Sequence, residues 1–146
     1  MTDTLYADDL TPGQQIPLGR YTLTEAEIID FARHWDPLTI HTGPATDSPL
    51  GSVIASGIQT LAVYQRLAAQ AFWRRFPSGI GRGFEVTFRR PVMPGTTLTG
   101  QITIRSVEPR PDRGDARLVI DAALEGDDGQ AVLELTNSSV MPLRPR

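Results

Sequence analysis

The sequence predicts an α+β fold in which a curved, five-stranded antiparallel sheet wraps around one long central helix. Two observations carry this prediction. A long segment in the middle of the chain is apolar over most of a helical circumference, which is typical of a buried helix. The second half of the chain then changes to a period of two, with apolar and polar side chains alternating between turn residues. An earlier strand, near Ile16 to Leu23, completes the sheet.

Length and composition indicate a single domain over residues 1–146, since no repeat or linker divides the chain. The absence of cysteine excludes disulfides and thiolate chemistry, and with two histidines we expect no metal site. A net charge of −3 argues against nucleic-acid binding. No apolar run could span a membrane, and the acidic N-terminus does not resemble a signal peptide, so we expect a cytoplasmic protein.

A first, short helix is predicted from about Glu25 to His34. Thr24 and Glu27 fit a capping box, in which the two side chains satisfy free amides at a helix start. The pair Asp36-Pro37 should end this helix, because the residue before a proline is driven out of the α region. The apolar residues Ile28, Phe31 and Trp35 recur at helical spacing.

From Thr39 to Ser52 the composition indicates an ordered loop with little secondary structure, and loops of this length are usually functional. The second, buried helix is predicted from near Ser56 to about Arg75, ending before Pro77-Ser78-Gly79. Its apolar side would comprise Ile58, Leu61, Ala62, Gln65, Ala69 and Phe72, widened by Val63 and Leu67. Four strands should follow, through 84–88, 98–105, 117–125 and 132–140, each with one face on the helix.

Asp36 and His41 are the candidate acid/base pair, since they lie on either side of the start of the loop. A histidine can give or take a proton near neutral pH, and a neighbouring carboxylate can orient it or share the proton transfer. The alternative, a loop histidine bonded to a loop aspartate, stays open at this point. His34 follows Asp30 by one helical turn and is interpreted as part of a solvated pair.

The start of the long helix is the second candidate site. Its free amides carry partial positive charge, and Gly57 would let a ligand approach the main chain, which makes an oxyanion site for a thioester carbonyl. Ser56 and Ile58 flank Gly57 and are candidates for substrate binding. The alternative for Ser56 is a simple helix N-cap.

Three motifs together resemble the MaoC-like dehydratases and (R)-specific enoyl-CoA hydratases, over nearly the whole chain. They are Asp36-Pro37 through His41, Leu50 through Gly57, and Phe88 through Leu98, with a Thr-Pro-Gly at 11–13. The chain departs from the family motif at Leu38-Thr39, at Gly43 and at Ser56, where many members have other residues. The resemblance implies a hot-dog fold.

The resemblance also implies reversible hydration of a trans-2-enoyl thioester to a 3-hydroxyacyl thioester, on one face of the double bond. Asp36 and His41 would hold one water, one removing its proton and the other supplying a proton to the α-carbon, with the roles open. The Gly57 amide would polarise the thioester oxygen. No cofactor is implied beyond coenzyme A as part of the substrate, and a carrier-protein thioester is equally compatible.

Two other functions compete. A hot-dog thioesterase commonly has a carboxylate on its central helix, and the chain has none from Ala55 to Arg75. A non-catalytic subunit that binds an acyl thioester is the second.

Phe72 and Trp73 would either form a wall of an acyl pocket or simply pack in the core, and core packing is favoured.

We expect a homodimer joined through open sheet edges, because an unpaired edge exposes free backbone donors and acceptors. Arg89 and Arg90 are candidates for contacting the anionic end of coenzyme A, against the alternative of solvated strand arginines.

Overall fold

The structure is a computed structural model that describes residues 3–146. Its helices are α1 (Glu25–Trp35), α2 (Thr39–Thr42) and α3 (Gly57–Ala71), and its strands are β1 (Gln15–Thr22), β2 (Ile80–Phe88), β3 (Thr97–Arg110), β4 (Asp115–Glu125) and β5 (Ala131–Pro142). The strands form one antiparallel sheet in the order β1-β3-β4-β5-β2. The predicted five-stranded sheet curved around a central helix is confirmed.

The core lies between α3 and the inner face of the sheet. The helix packs over β1 and β3, and the alternation of the strands places one side chain in two against it. Fully buried residues include Tyr64, Phe72, Leu98, Ile102, Ile104, Leu118, Ile120, Leu124 and Leu133. Within residues 3–146, no helix combines the length and the hydropathy that crossing a membrane requires.

The predicted start of α1 is confirmed. The Thr24 hydroxyl accepts a hydrogen bond from the Glu27 amide at 3.2 Å, and the Glu27 carboxylate accepts one from the Thr24 amide at 3.2 Å. Tyr21 donates a further hydrogen bond to that carboxylate, and it holds the pKa of Glu27 below its usual range. The helix ends with Asp36 as its C-cap, as the following proline predicts.

The loop between α1 and α3 differs from the prediction, since it contains the helical turn α2. The Leu38 carbonyl accepts hydrogen bonds from the amides of His41 and Thr42, both at 2.9 Å, and also from the Thr42 hydroxyl. These bonds close one turn immediately after Pro37. His41 therefore lies on a fixed turn and not on an irregular segment.

The long helix ends at Ala71, earlier than the predicted Arg75, and a 3-10 turn from Trp73 to Arg75 follows it. The chain bends at Phe72, whose ring is fully buried and packs edge-on against Trp73 and Phe76, with ring centroids 4.7 Å and 5.2 Å away. The interpretation of Phe72 as a core residue is confirmed.

The predicted apolar side of α3 is correct for Val63, Leu67 and Phe72, which are buried, but wrong for other members. Ile58 is 55% exposed, and Ala62 and Gln65 are also exposed. The side of α3 that faces the core includes polar residues, because these form hydrogen bonds with other segments of the chain. The Gln59 side-chain amide, for example, donates to the Glu27 carbonyl at 3.1 Å. The side that faces the core comprises Gln59, Thr60, Val63, Tyr64, Leu67 and Ala68.

Strand β2 also departs from the prediction that one of its faces is buried. Phe84 and Phe88 are about half exposed, at 47% and 51%. The reason is the position of α3 over the opposite half of the sheet, which leaves the inner face of β2 uncovered. The exposed side of α3 and the edge strand β2 therefore border open space on this half of the sheet.

Candidate active site

Asp36 and His41 meet beside the start of α3, as the sequence predicts. The Nε2 atom of His41 lies 3.3 Å from the Oδ2 atom of Asp36. The Nδ1 atom of His41 lies 2.6 Å from the Ile54 carbonyl oxygen, and because a carbonyl can only accept, Nδ1 must carry a proton. In a neutral imidazole this leaves the Nε2 lone pair facing the carboxylate.

Burial distinguishes the two members of the pair. His41 is only 7% exposed, whereas the Asp36 side chain is 27% exposed. Asp36 occupies the C-cap of α1 and His41 the single turn of α2, so the Pro37 bend brings the two side chains together. The histidine is thus fixed in the wall, while the carboxylate reaches solvent or a ligand.

Ser56 connects this pair to the start of α3. Its hydroxyl donates to the Asp36 Oδ2 atom at 2.7 Å and accepts from the Ile58 amide at 3.2 Å, and the residue is fully buried. Ser56 is therefore the N-cap of α3, as one of the two sequence interpretations stated. Its bond to Asp36 was not predicted, because a contact between residues so distant in sequence has no local pattern.

The Gly57 amide is the free donor at this helix start. The amides of Gln59 and Thr60 donate to the Ser56 carbonyl, and the Ile58 amide donates to the Ser56 hydroxyl. No acceptor within residues 3–146 pairs with the Gly57 amide. A donor at a helix N-terminus that lacks a protein partner is suited to an anionic or polarised oxygen.

A cleft of about 440 Å³ contains all five predicted site residues. Phe88, which the prediction did not include, forms the opposite wall of this cleft. A β-carbon added to Gly57 would lie 2.8 Å from the nearest atoms of the Phe88 ring, so the ring lies directly against the glycine. The residue at position 57 must therefore be small while Phe88 keeps this position.

The sequence profile of the MaoC-like domain matches residues 9–118. This chain belongs to the MaoC-like domain family. The resemblance found in the sequence is thereby confirmed.

Solved structures agree with this assignment. A MaoC-like dehydratase from Rhodospirillum rubrum is 28% identical with a TM-score of 0.87, covering 97% of this chain and 99% of that one. The unliganded R-hydratase PhaJ1 from Pseudomonas aeruginosa is 19% identical with a TM-score of 0.75, over 97% of this chain and 88% of that one. The C-terminally truncated 3R-hydroxyacyl-ACP dehydratase complex HadBC from Mycobacterium tuberculosis is 20% identical with a TM-score of 0.72, over 88% and 96%. At these last two identities the likeness shows the fold alone. No protein of curated function matches the sequence.

In this MaoC-like domain, Arg89 and Arg90 also line the cleft. Their guanidinium groups are about half exposed and approach Glu134 and Asp128 at 3.4 Å and 3.6 Å. Exposed pairs at such distances are weak, so an anionic ligand can compete for both arginines.

In the part of the chain that the structure describes, no three histidine, aspartate or glutamate side chains gather as metal ligands would. The absence of a metal and of a bound cofactor stays a prediction.

The hydrogen bonds of Ser56 yield a stability prediction for the MaoC-like domain. We expect Ser56→Ala to lower the free energy of unfolding by about 1–3 kcal/mol, because it removes both a helix cap and a bond to a carboxylate. Urea denaturation measures this loss, with Ser138→Ala, an exposed serine on β5, as the matched control. An unfolding midpoint equal to that of the wild type would show that the serine does not hold the helix start.

Proposed function

We propose that this MaoC-like domain is a hydro-lyase that reversibly hydrates a trans-2-enoyl thioester to a 3-hydroxyacyl thioester. The observation that carries the proposal is the cleft in which Asp36 and His41, 3.3 Å apart, lie with the unpaired Gly57 amide. This arrangement supplies the two elements that the reaction needs, which are a proton-transfer pair and a donor for the thioester oxygen.

The hydrogen bonds around the pair favour a bound water. Ser56 donates to one carboxylate oxygen of Asp36, and the Nδ1 atom of His41 donates its proton to the Ile54 carbonyl. The other carboxylate oxygen and the Nε2 atom of His41 are therefore both acceptors. A water that donates to both would be held with its oxygen lone pairs free to attack the β-carbon. The bond to the β-carbon forms as one member of the pair removes a proton from that water.

The second half of the reaction places negative charge on the thioester oxygen as an enolate. The Gly57 amide would stabilise this charge, as an oxyanion-hole donor does. The proton taken from the water passes between the two side chains, which lie 3.3 Å apart, and the other member of the pair delivers it to the α-carbon as the enolate collapses to the 3-hydroxyacyl thioester. The sum of the steps is the addition of one water to the double bond.

Hydrolysis of the thioester is the rival reaction. It requires a water directed at the carbonyl carbon, commonly by a carboxylate on the central helix, and α3 has no carboxylate. Crotonyl-CoA separates the two reactions: we expect loss of the enoyl absorbance without release of free thiol. Thiol release at the same rate as substrate loss would favour a thioesterase, and neither change would favour a subunit that only binds the thioester.

A coenzyme-A thioester fits the positive charges that line the cleft. Arg89 and Arg90 would pair with the phosphates of the nucleotide, because guanidinium groups form strong, charge-assisted hydrogen bonds to phosphate oxygens.

We further predict a homodimer that joins through strand β2. This strand is the edge of the sheet next to β5, and it exposes Ile80, Phe84 and Phe88. A second copy related by a two-fold axis would pair the free edge and bring the partner subunit close to these apolar side chains. Light scattering at micromolar concentration should give about twice the chain mass of 16.0 kDa. A mass near 16.0 kDa in a catalytically active sample would contradict the dimer.

A further inference from the structure

A second cavity, also of about 440 Å³, lies near the other end of α3 and of β2. Its walls are aromatic and aliphatic, formed mainly by Trp73, Phe76, Ile80, Phe84 and Met141. None of the residues that line it is charged. The cavity is therefore suited to a neutral, largely apolar ligand.

The floor of this cavity is polar, in contrast to its walls. The inner face of β5 begins with Leu133 and Leu135 and continues with Asn137 and Ser139. Asn137 and Ser139 are each only 4% exposed. The Asn137 amide donates to the Gly83 carbonyl at 2.9 Å, whereas the Ser139 hydroxyl has no hydrogen-bond partner in the described residues. A buried hydroxyl without a partner favours a ligand that can pair with it.

Glycines of β2 leave open space on the strand next to Ser139. Gly81 is the register partner of Ser139, and the pairing shifts between Gly81 and Gly83. A β-carbon at Gly81 would meet no atom within 4 Å. Glycine in a strand commonly marks a bulge or a close approach by a ligand. The hollow is thus built into the strand pairing.

The cavity and the active-site cleft are bordered by the same two elements. Ile58 and Phe88 line the cleft, whereas Gln65 and Phe84 line the cavity. Ile58 and Gln65 are two turns apart on the exposed side of α3, and the two phenylalanines lie on one face of β2. Phe84 and Phe88 are therefore about 13 Å apart along the strand, at roughly 3.3 Å per residue. A medium-length acyl chain spans this distance.

We propose that the cavity receives the distal end of the acyl group and selects an end that bears a neutral oxygen, hydrogen-bonded to Ser139. This inference rests on the proposed hydration of an enoyl thioester. The preferred substrates are then medium-chain enoyl thioesters with a distal hydroxyl or keto group. A distal carboxylate is disfavoured, since no cationic side chain lines the cavity.

The test compares kcat/KM for ω-hydroxydecenoyl-CoA and for decenoyl-CoA, whose ratio cancels general losses of activity. We expect a ratio of about ten for the wild type, which is the size of effect that one neutral hydrogen bond gives. Ser139→Ala should bring the ratio close to one. Ser138→Ala, whose side chain is on the exposed face of the same strand, should keep the wild-type ratio.

Hydration of crotonyl-CoA, which is too short to reach the cavity, distinguishes failure of the distal site from failure of the proposed function. A wild type that hydrates crotonyl-CoA but shows a ratio near one, or a ratio that Ser139→Ala leaves unchanged, would overturn the distal site alone. A wild type that hydrates none of the three thioesters would overturn both the distal site and the proposed function.

Discussion

Asp36→Asn and His41→Ala should each lower kcat/KM for hydration of a good enoyl thioester by at least about two orders of magnitude. Asparagine keeps the shape of Asp36 and can still accept the Ser56 hydroxyl, but it cannot take a proton. Alanine at 41 removes Nε2 altogether. Because both residues serve one proton transfer, the double variant should lose little more than the worse single variant.

Steady-state kinetics measures this loss, with thermal unfolding of each variant to confirm that the fold persists. The chain offers a matched control in Asp30 and His34, a second acid and histidine on α1, where the His34 Nδ1 atom lies 2.8 Å from the Asp30 carbonyl. Asp30→Asn and His34→Ala should leave turnover unchanged. If Asp36→Asn or His41→Ala keeps more than about a third of wild-type turnover, that residue has no part in the proton transfer.

Gly57→Val should reduce kcat for enoyl hydration by about two to three orders of magnitude, the cost of losing one oxyanion-hole donor. Its new side chain would collide with the Phe88 ring, whose atoms lie 2.8 Å from the position of a β-carbon. The ring is half exposed and able to swing away, so the loss of stability should be small in comparison. The displaced ring and the valine would then obstruct the approach of the thioester oxygen to the amide.

A double variant tests whether the collision with the Phe88 ring is what makes a larger residue at position 57 destabilising. Gly57→Ala should destabilise the protein measurably with Phe88 present and much less in a Phe88→Ala background, since the collision requires the ring. If catalysis uses the amide as an oxyanion donor, Phe88→Ala alone should keep most of the turnover. Normal binding and turnover in Gly57→Val would show that the helix start is not the oxyanion site.

The features that the sequence predicts correctly are those that depend on local patterns. Thr24 and Glu27 specify the start of α1 through hydrogen bonds within one turn, and Pro37 specifies its end. Asp36 and His41 are close in sequence, so a bend at the proline is enough to bring them together. The period of two likewise predicts the strands.

The features that the sequence does not predict depend on contacts between distant segments. The buried side of α3 is set by its position over β1 and β3, which leaves Ile58 exposed although it is apolar. The bond from Ser56 to Asp36 and the packing of Phe88 on Gly57 likewise join segments that are distant in sequence. No pattern of spacing or hydropathy encodes such pairs, because only the tertiary structure defines them.

Hydration of crotonyl-CoA in deuterated water, followed by proton NMR, tests the central claim most directly. If Asp36 and His41 add one water across the double bond, the product is 3-hydroxybutyryl-CoA with a single deuterium on the α-carbon, added on the same face as the hydroxyl. Addition on opposite faces would contradict delivery from one side of the cleft, and release of crotonate with free coenzyme A would contradict a hydro-lyase.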